Sequence, residues 1–294
     1  MDNLIHAWVE AFRVVHPEID VVLDLKPSTK ISAALTEGTA DVGISSLDLS
    51  VLKADEQPFE ARYHYPLKGV VVSGATFDDP QRNKPTAIAV NPANPIDKIS
   101  LAQLDAIFST TRLRGHADIT AWGQLGLTGE WANRPITLYG IKGAEGQPLV
   151  MGNTAFFVDR VMRGGDFKEG IHRFGNVGKA RSFDLEAEAI ANDPGAIGAV
   201  TFNSTKMVKL IAVSEDDGGN AFKGTREEVA AQQYPLGRDV YAFINREGNS
   251  PIPPAVHEFL SFLLSRDGQQ AVASTSDFLP LPAKVVSRER RKLK

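Results

Sequence analysis

The sequence predicts an α/β protein of two lobes, with two strand crossings forming a hinge beside an inter-lobe cleft. Three observations carry this. Residues 88–96 (IAVNPANPI) begin as an apolar strand, turn polar at Asn91 and then carry Pro92 and Pro95. Proline cannot donate to a ladder, so the strand ends near Asn91. Residues 240–245 (VYAFIN) have the same form, an apolar strand closed by an asparagine. Near the start, a strand, a helix and a second strand follow one another, the unit that builds a parallel sheet. The two crossings bound a first lobe of residues 1–90 plus 240–294 and a second of 91–239. At 294 residues the chain is long enough for about two domains. Clefts between domains are preferred ligand sites, and a hinge lets them open and close.

Composition narrows the class. With 43% hydrophobic and 23% charged residues the chain can bury an ample core and has no disorder signature. A net charge of −4 gives no reason to expect a nucleic-acid partner. The basic run at 288–294 is expected to be solvated. There are no cysteines, which removes thiol catalysis, disulfides and cysteine metal sites. No run of about 18 apolar residues exists to span a membrane.

The first element is an amphipathic helix, with Leu4, Ile5, Trp8, Val9, Phe12 and Val15 on one face and Asp2 or Asn3 as N-cap. A domain that opens on a buried helix usually has a strand before it, so a strand is expected upstream of Met1. Pro17 breaks the helix, and 19–25 (IDVVLDL) reads as a strand. A short helix over 28–37 stops at Gly38, and 41–46 (DVGISS) is a strand that runs into hydroxyls. Residues 67–73 and 86–91 are further strands.

Residues 97–108 read as a helix, with a capping-box pattern at Ser100 and Gln103. Residues 109–134 are loop-rich, and their Trp122 and Trp131 are read as packing residues. A strand at 136–139, a flexible loop over 140–152 and a helix at 155–162 follow. Next come a helix at 184–191 and strands at 196–201 and 208–213. Thr225 and Glu228 form a second capping-box pattern. After the return strand, helices at 254–265 and 267–273 and the segment 279–282 close the fold.

Several of these stretches resemble the phosphate-binding solute receptors of ABC uptake systems, which have the type 2 periplasmic binding-protein fold. DVGISS at 41–46 is similar to that family's first-lobe anion loop, and NPANPIDKISLAQLDAIFS at 91–109 to its entry into the second lobe. GEWANRPITLYG at 129–140 and DPGAIGAVTF at 193–202 are similar to its second-lobe strands. YPLGRDVYAFIN at 234–245 and the segment 258–282 match its return crossing and final helices. The resemblance covers nearly the whole chain.

The family surrounds its anion with hydroxyls and with backbone N–H groups at helix N-termini, where the helix dipole favours negative charge. Carried over position by position, this implies Ser45 and Ser46 in the first lobe. In the second it implies Gly152, Asn153 and Thr154, where Met151-Gly152-Asn153-Thr154 stands in place of a Ser-Gly-Thr turn. Arg181 and Ser182 open the next helix, and Lys142 and Arg181 are the cations nearest the expected cleft. The family's glycine-serine loop before the first helix would fall upstream of Met1. An arginine expected after the strand is replaced by Ile141 and Lys142. Plainer readings stay open beside these: Asn153 and Thr154 as a helix cap, Ser45 and Ser46 as a turn, Lys142 and Arg181 as surface charges.

The resemblance implies a solute-binding protein for a small oxyanion, phosphate first, that delivers it to an ABC permease by hinge closure. It implies a monomer, periplasmic or at the cell surface, with no cofactor and no metal. The alternative is a divergent receptor that has lost phosphate binding and acts as a sensory or interaction module. An enzyme on this scaffold would need a metal cluster or an activated nucleophile. The sequence shows no H-E-x-x-H, no G-x-S-x-G and no Walker loop.

Overall fold

The structure, a computed structural model, describes residues 1–25, 30–46, 53–77, 85–141, 153–275 and 277–294; for 53–56 and 141 it describes the backbone alone. In chain order the elements are α1 (Asp2–Val15), α2 (Ile31–Glu37), β1 (Gly43–Ser45), α3 (Lys53–Tyr63) and β2 (Lys68–Thr76). Then come β3 (Thr86–Val90), β4 (Lys98–Ser100), α4 (Leu101–Phe108), β5 (Thr137–Ile141), α5 (Asn153–Arg160), β6 (His172–Phe174), α6 (Ser182–Asn192), β7 (Ala196–Thr201), β8 (Lys209–Ser214), β9 (Ala221–Phe222) and α7 (Arg226–Ala230). The last are β10 (Asp239–Ile244), α8 (Pro254–Leu263), α9 (Arg266–Ser274), β11 (Phe278–Leu279) and α10 (Ala283–Arg290).

The chain divides into two compact units. The first holds Met1–Asp79, Ala230–Gln232 and Arg238–Lys294; the second holds Pro80–Val229 and Gln233–Gly237. Strand β3, which the sequence placed at the end of the first lobe, lies in the second unit. Its ladders explain why: it is hydrogen-bonded to β7 on one side and β8 on the other. Asn91 just beyond it has a structural job. Its side-chain amide donates to the carbonyls of Ile190 (3.2 Å) and Ala191 (2.8 Å), near the end of α6.

The first unit's sheet runs β1-β10-β2-β11, and every pairing in it is antiparallel. This corrects the parallel strand–helix–strand expectation. Residues 19–25 keep the period-two pattern of a strand: Ile19, Val21 and Leu23 pack on the core while Val22 is 85% exposed. They have no ladder partner among the described residues. Most of the predicted apolar face of α1 is buried: Leu4, Trp8, Val9 and Phe12 pack against β2, β10, α8 and α9 and Ile5 is partly buried, but Val15 at the helix end is 48% exposed. Phe12 meets Phe259 and Phe262 edge-on, and the Trp8 indole donates to the carbonyl of Gly268 at 3.0 Å.

Helix α3 has no counterpart in the sequence reading. Pro58 lies inside it, and its buried Phe59 packs in a tilted contact on Tyr63 and meets Tyr65 edge-on. The basic C-terminal run is also not simply solvated. Residues 283–290 form α10, Leu293 is buried, and Arg246 donates to the carbonyls of Lys292 and Lys294.

The second unit's sheet runs β4-β8-β3-β7-β5-β6, with β9 on β8; β5 is parallel to both β6 and β7. Helix α4 starts at Leu101 rather than at 97, because 98–100 stay extended and pair with β8. The predicted capping box then forms: Ser100 Oγ accepts the Gln103 N–H, and Gln103 Oε1 accepts the Ser100 N–H, both at 3.0 Å. The second box forms too, with Glu228 N–H on Thr225 Oγ1 (3.2 Å) and Thr225 N–H on Glu228 Oε2 (3.0 Å). Trp122 and Trp131 are buried, and the Trp122 indole donates to the Gly195 carbonyl.

Candidate functional site

Strand order fixes where a ligand belongs in the second unit. From β5 the chain runs through α5 to β6, on one side of β5. It then runs through α6 to β7, on the other side. Strand β5 is therefore a switch point, and open α/β sheets bind ligands beyond the carboxyl ends of strands at such points.

A recess lies there. Tyr139 and Gly140 of β5 line it, with Asn153 and Thr154 from the first turn of α5. The parallel register of β5 and β6 sets Arg173 opposite Gly140, which brings a guanidinium into the lining. Phe183, in the first turn of α6, and Ala199 of β7 complete that side. Phe108, Phe157, Phe167 and Ile171 supply the rest, with Phe108 and Phe157 in edge-to-face contact at 5.1 Å.

Arg173 is the one charged side chain among the described lining residues, and no carboxylate is among them. Its guanidinium stands 4.8 Å from the Phe167 ring centroid, and burial lowers its pKa. Tyr139 offers less polarity than its type suggests. Its hydroxyl donates to Asp193 Oδ2 at 3.1 Å, and burial and that carboxylate push its pKa up to about 12. One further titratable group lies nearby. Glu186 of α6 is fully buried against Gly198, where an added Cβ would stand 2.6 Å from Glu186 Oε1. Burial pushes this carboxyl well above the usual range, offset in part by the backbone of Ala199.

Of the residues singled out in the sequence, Asn153 and Thr154 line the recess. Arg181 and Ser182 do not. Arg181 is turned to its own helix, with Nε 3.4 Å from Asp184 Oδ2 and a terminal nitrogen 3.4 Å from Ser204 Oγ. The Ser182 N–H is taken by Asn176 Oδ1 at 2.9 Å. In the first unit Ser45 is fully buried at the end of β1, paired across the ladder with Tyr241, and Ser46 follows it, partly buried. Lys142 and Gly152 lie outside the described residues. Arg173 went unnoticed in the sequence; the run His172-Arg173-Phe174 between two glycine-bearing loops was its one signal.

The recess at this switch point is cationic, with no carboxylate among its described lining residues, and its chemistry suits a small anion. Comparison with known proteins gives the family: residues 1–267 match the model of the PBP superfamily domain, and the chain belongs to that superfamily. It is 31% identical to the phosphate-binding protein PstS of Pseudomonas aeruginosa over 293 residues, 99% of this chain and 83% of that protein. The phosphate-binding protein PstS of Bacillus subtilis is 25% identical over 98% of this chain and 80% of its own length. Among solved structures, PstS from Borrelia burgdorferi shares the fold, with a TM-score of 0.56 at 16% identity, covering 95% of this chain and 94% of that one.

Proposed function

We propose that this protein is a solute-binding receptor for a small oxyanion, phosphate first, and that it hands this ligand to an ABC permease. The observation that carries the reading is Arg173 beside Asn153 and Thr154 at the carboxyl end of β5, with no carboxylate among the described lining residues. The names of the relatives at 31% and 25% identity point the same way. A tetrahedral oxyanion there takes charge-assisted hydrogen bonds from the guanidinium and neutral ones from the Thr154 hydroxyl and the Asn153 amide. The start of α5 adds its favourable dipole.

Lys142 and Gly152 belong to the proposed donor set. The ligand favours whichever hinge state offers it the most donors, and the permease reads that state. No bond is made or broken, so the protein acts as a carrier and not as an enzyme. It works as a monomer in the periplasm or at the cell surface. Among the described residues no helix is long and apolar enough to cross a membrane.

Calorimetric titration with inorganic phosphate, after unfolding and refolding to strip carried-over ligand, tests the reading. Micromolar or tighter binding that weakens in Thr154→Ala supports it. No heat and no thermal shift overturns it.

A further inference from the structure

A buried acid stands directly behind the wall of the recess. Glu186 of α6 is fully buried against Gly198 of β7, which lies opposite Tyr139 in the β5–β7 ladder. A Cβ added at Gly198 would stand 2.6 Å from Glu186 Oε1 and 3.3 Å from Tyr139 Cβ. Tyr139, Ala199 next to Gly198, and Phe183 on the preceding turn of α6 all line the recess. Helix α6 packs on β3, β5, β6 and β7, and β3 and β7 bring no ionisable side chain. From β5 comes Tyr139, with its hydroxyl on Asp193; from β6 come His172, stacked on Tyr139, and Arg173, over Phe167. On α6 itself Asp184 is turned to Arg181 and Ser204, and Glu188 is exposed. None of these side chains hydrogen-bonds the Glu186 carboxyl, and the backbone of Ala199 alone offsets its burial.

Resting on the receptor reading above, we propose that Glu186 couples anion binding to a proton: the recess holds its anion tightly while this carboxyl is protonated and loosely once it is ionised. Two negative charges on either side of one wall repel, with little water between them to screen the field. Burial already favours the neutral acid, and a bound anion favours it further. The effect is reciprocal, so binding draws a proton onto Glu186 and its contribution to affinity falls as pH rises.

The test is calorimetric titration of the stripped protein and of Glu186→Gln with inorganic phosphate, from about pH 5 to about pH 8. The titration of phosphate itself, and of His172, is common to both proteins, so the ratio of their affinities isolates Glu186. Relative to the variant, the native protein is expected to lose about tenfold in affinity across this range. A constant ratio overturns the coupling and leaves the receptor reading standing. Binding of phosphate by neither protein at any pH overturns both. Should Glu186→Gln not fold, infrared difference spectra of the unaltered chain at about pH 8 decide. Phosphate is expected to strengthen the band of a protonated carboxyl there, and an unchanged band overturns the coupling.

Discussion

Val71 of β2 donates its backbone N–H to the carboxylate of Glu289 in α10 at 2.9 Å. A side chain thus takes the place of a neighbouring strand on this stretch of β2, because β11 pairs with it only at Gly74 and Thr76. Glu289 is fully buried, and it is also met by Arg288 Nε at 2.8 Å and Lys292 Nζ at 2.6 Å. The basic C-terminal run therefore serves to hold one buried acid against the first unit's sheet.

Removing that acid leaves a strand N–H without its acceptor and two cations without their partner. Glu289→Ala is expected to cost about 3 kcal/mol, as for a broken buried ion pair. Burial alone would raise the Glu289 pKa. The hydrogen bonds from Lys292, Val71 and Arg288 outweigh it and hold the carboxyl below its ordinary value of 4.5. A lowered folded pKa gives stability that is present above 4.5 and is lost as pH falls below it. Urea unfolding across the acid range should show a steep loss in the native protein and a flatter one in Glu289→Gln. Equal slopes would show that the carboxylate carries no such linkage.

Glu186 is the opposite case in the second unit, buried as fully, with only the backbone of Ala199 offsetting the cost of its burial among the described residues. Its raised pKa means that the folded state keeps a proton which the unfolded chain gives up. Stability is therefore greatest below the ordinary value of 4.5 and falls as pH rises above it. Glu186→Gln is expected to remove this slope and to match or exceed the native protein at neutral pH. Parallel stability curves for the two from about pH 5 to about pH 8 would count against a protonated Glu186.

What the sequence made legible was local. Ser100 with Gln103 and Thr225 with Glu228 sit at a spacing that only a helix start satisfies, and both boxes form. The apolar strands β7, β8 and β10 carry their signal in consecutive residues. What stayed hidden depends on distant partners. Helix α3 is held by the packing of Phe59 with Tyr63 and Tyr65 although Pro58 interrupts its pattern. The alternation at 19–25 is plain, but whether a strand lies alongside is a non-local matter. Arg173 sits on a three-residue strand too short to show a period, and only the register with Gly140 brings it into the recess. Arg181 lies outside the recess lining for a local reason: Asp184, three residues on, pairs with it.

The contact of Trp8 with Gly268 makes a close-packing prediction in the first unit. A Cβ at Gly268 would stand 2.1 Å from the Phe262 carbonyl oxygen and 2.8 Å from that of Leu263. Both are backbone atoms with little room to yield. Gly268→Ala is expected to cost about 2–3 kcal/mol, the upper part of the range for overpacking. Trp8→Phe removes the indole hydrogen bond to the Gly268 carbonyl as well as ring volume, and should cost at least about 1 kcal/mol. Thermal and urea melts of both variants check this. A neutral Gly268→Ala would mean that the α8–α9 corner gives more readily than its geometry indicates.

The two arginines allow the placement of the site to be tested directly. Arg173 lines the recess and Arg181 is paired with Asp184, so they should behave differently although both lie in the same unit. A hydrogen bond to a charged group contributes about 1.5–3 kcal/mol, so Arg173→Ala should weaken phosphate binding by roughly 10- to 100-fold. Arg173→Lys should recover part of this, because it restores the charge but neither the forked donors nor the stacking on Phe167. Arg181→Ala should leave the affinity within about twofold, since its guanidinium is engaged elsewhere. Calorimetry on the three variants reads the comparison. If Arg181→Ala loses binding while Arg173→Ala keeps it, the anion sits at the start of α6 and the recess beside Gly140 is not its site.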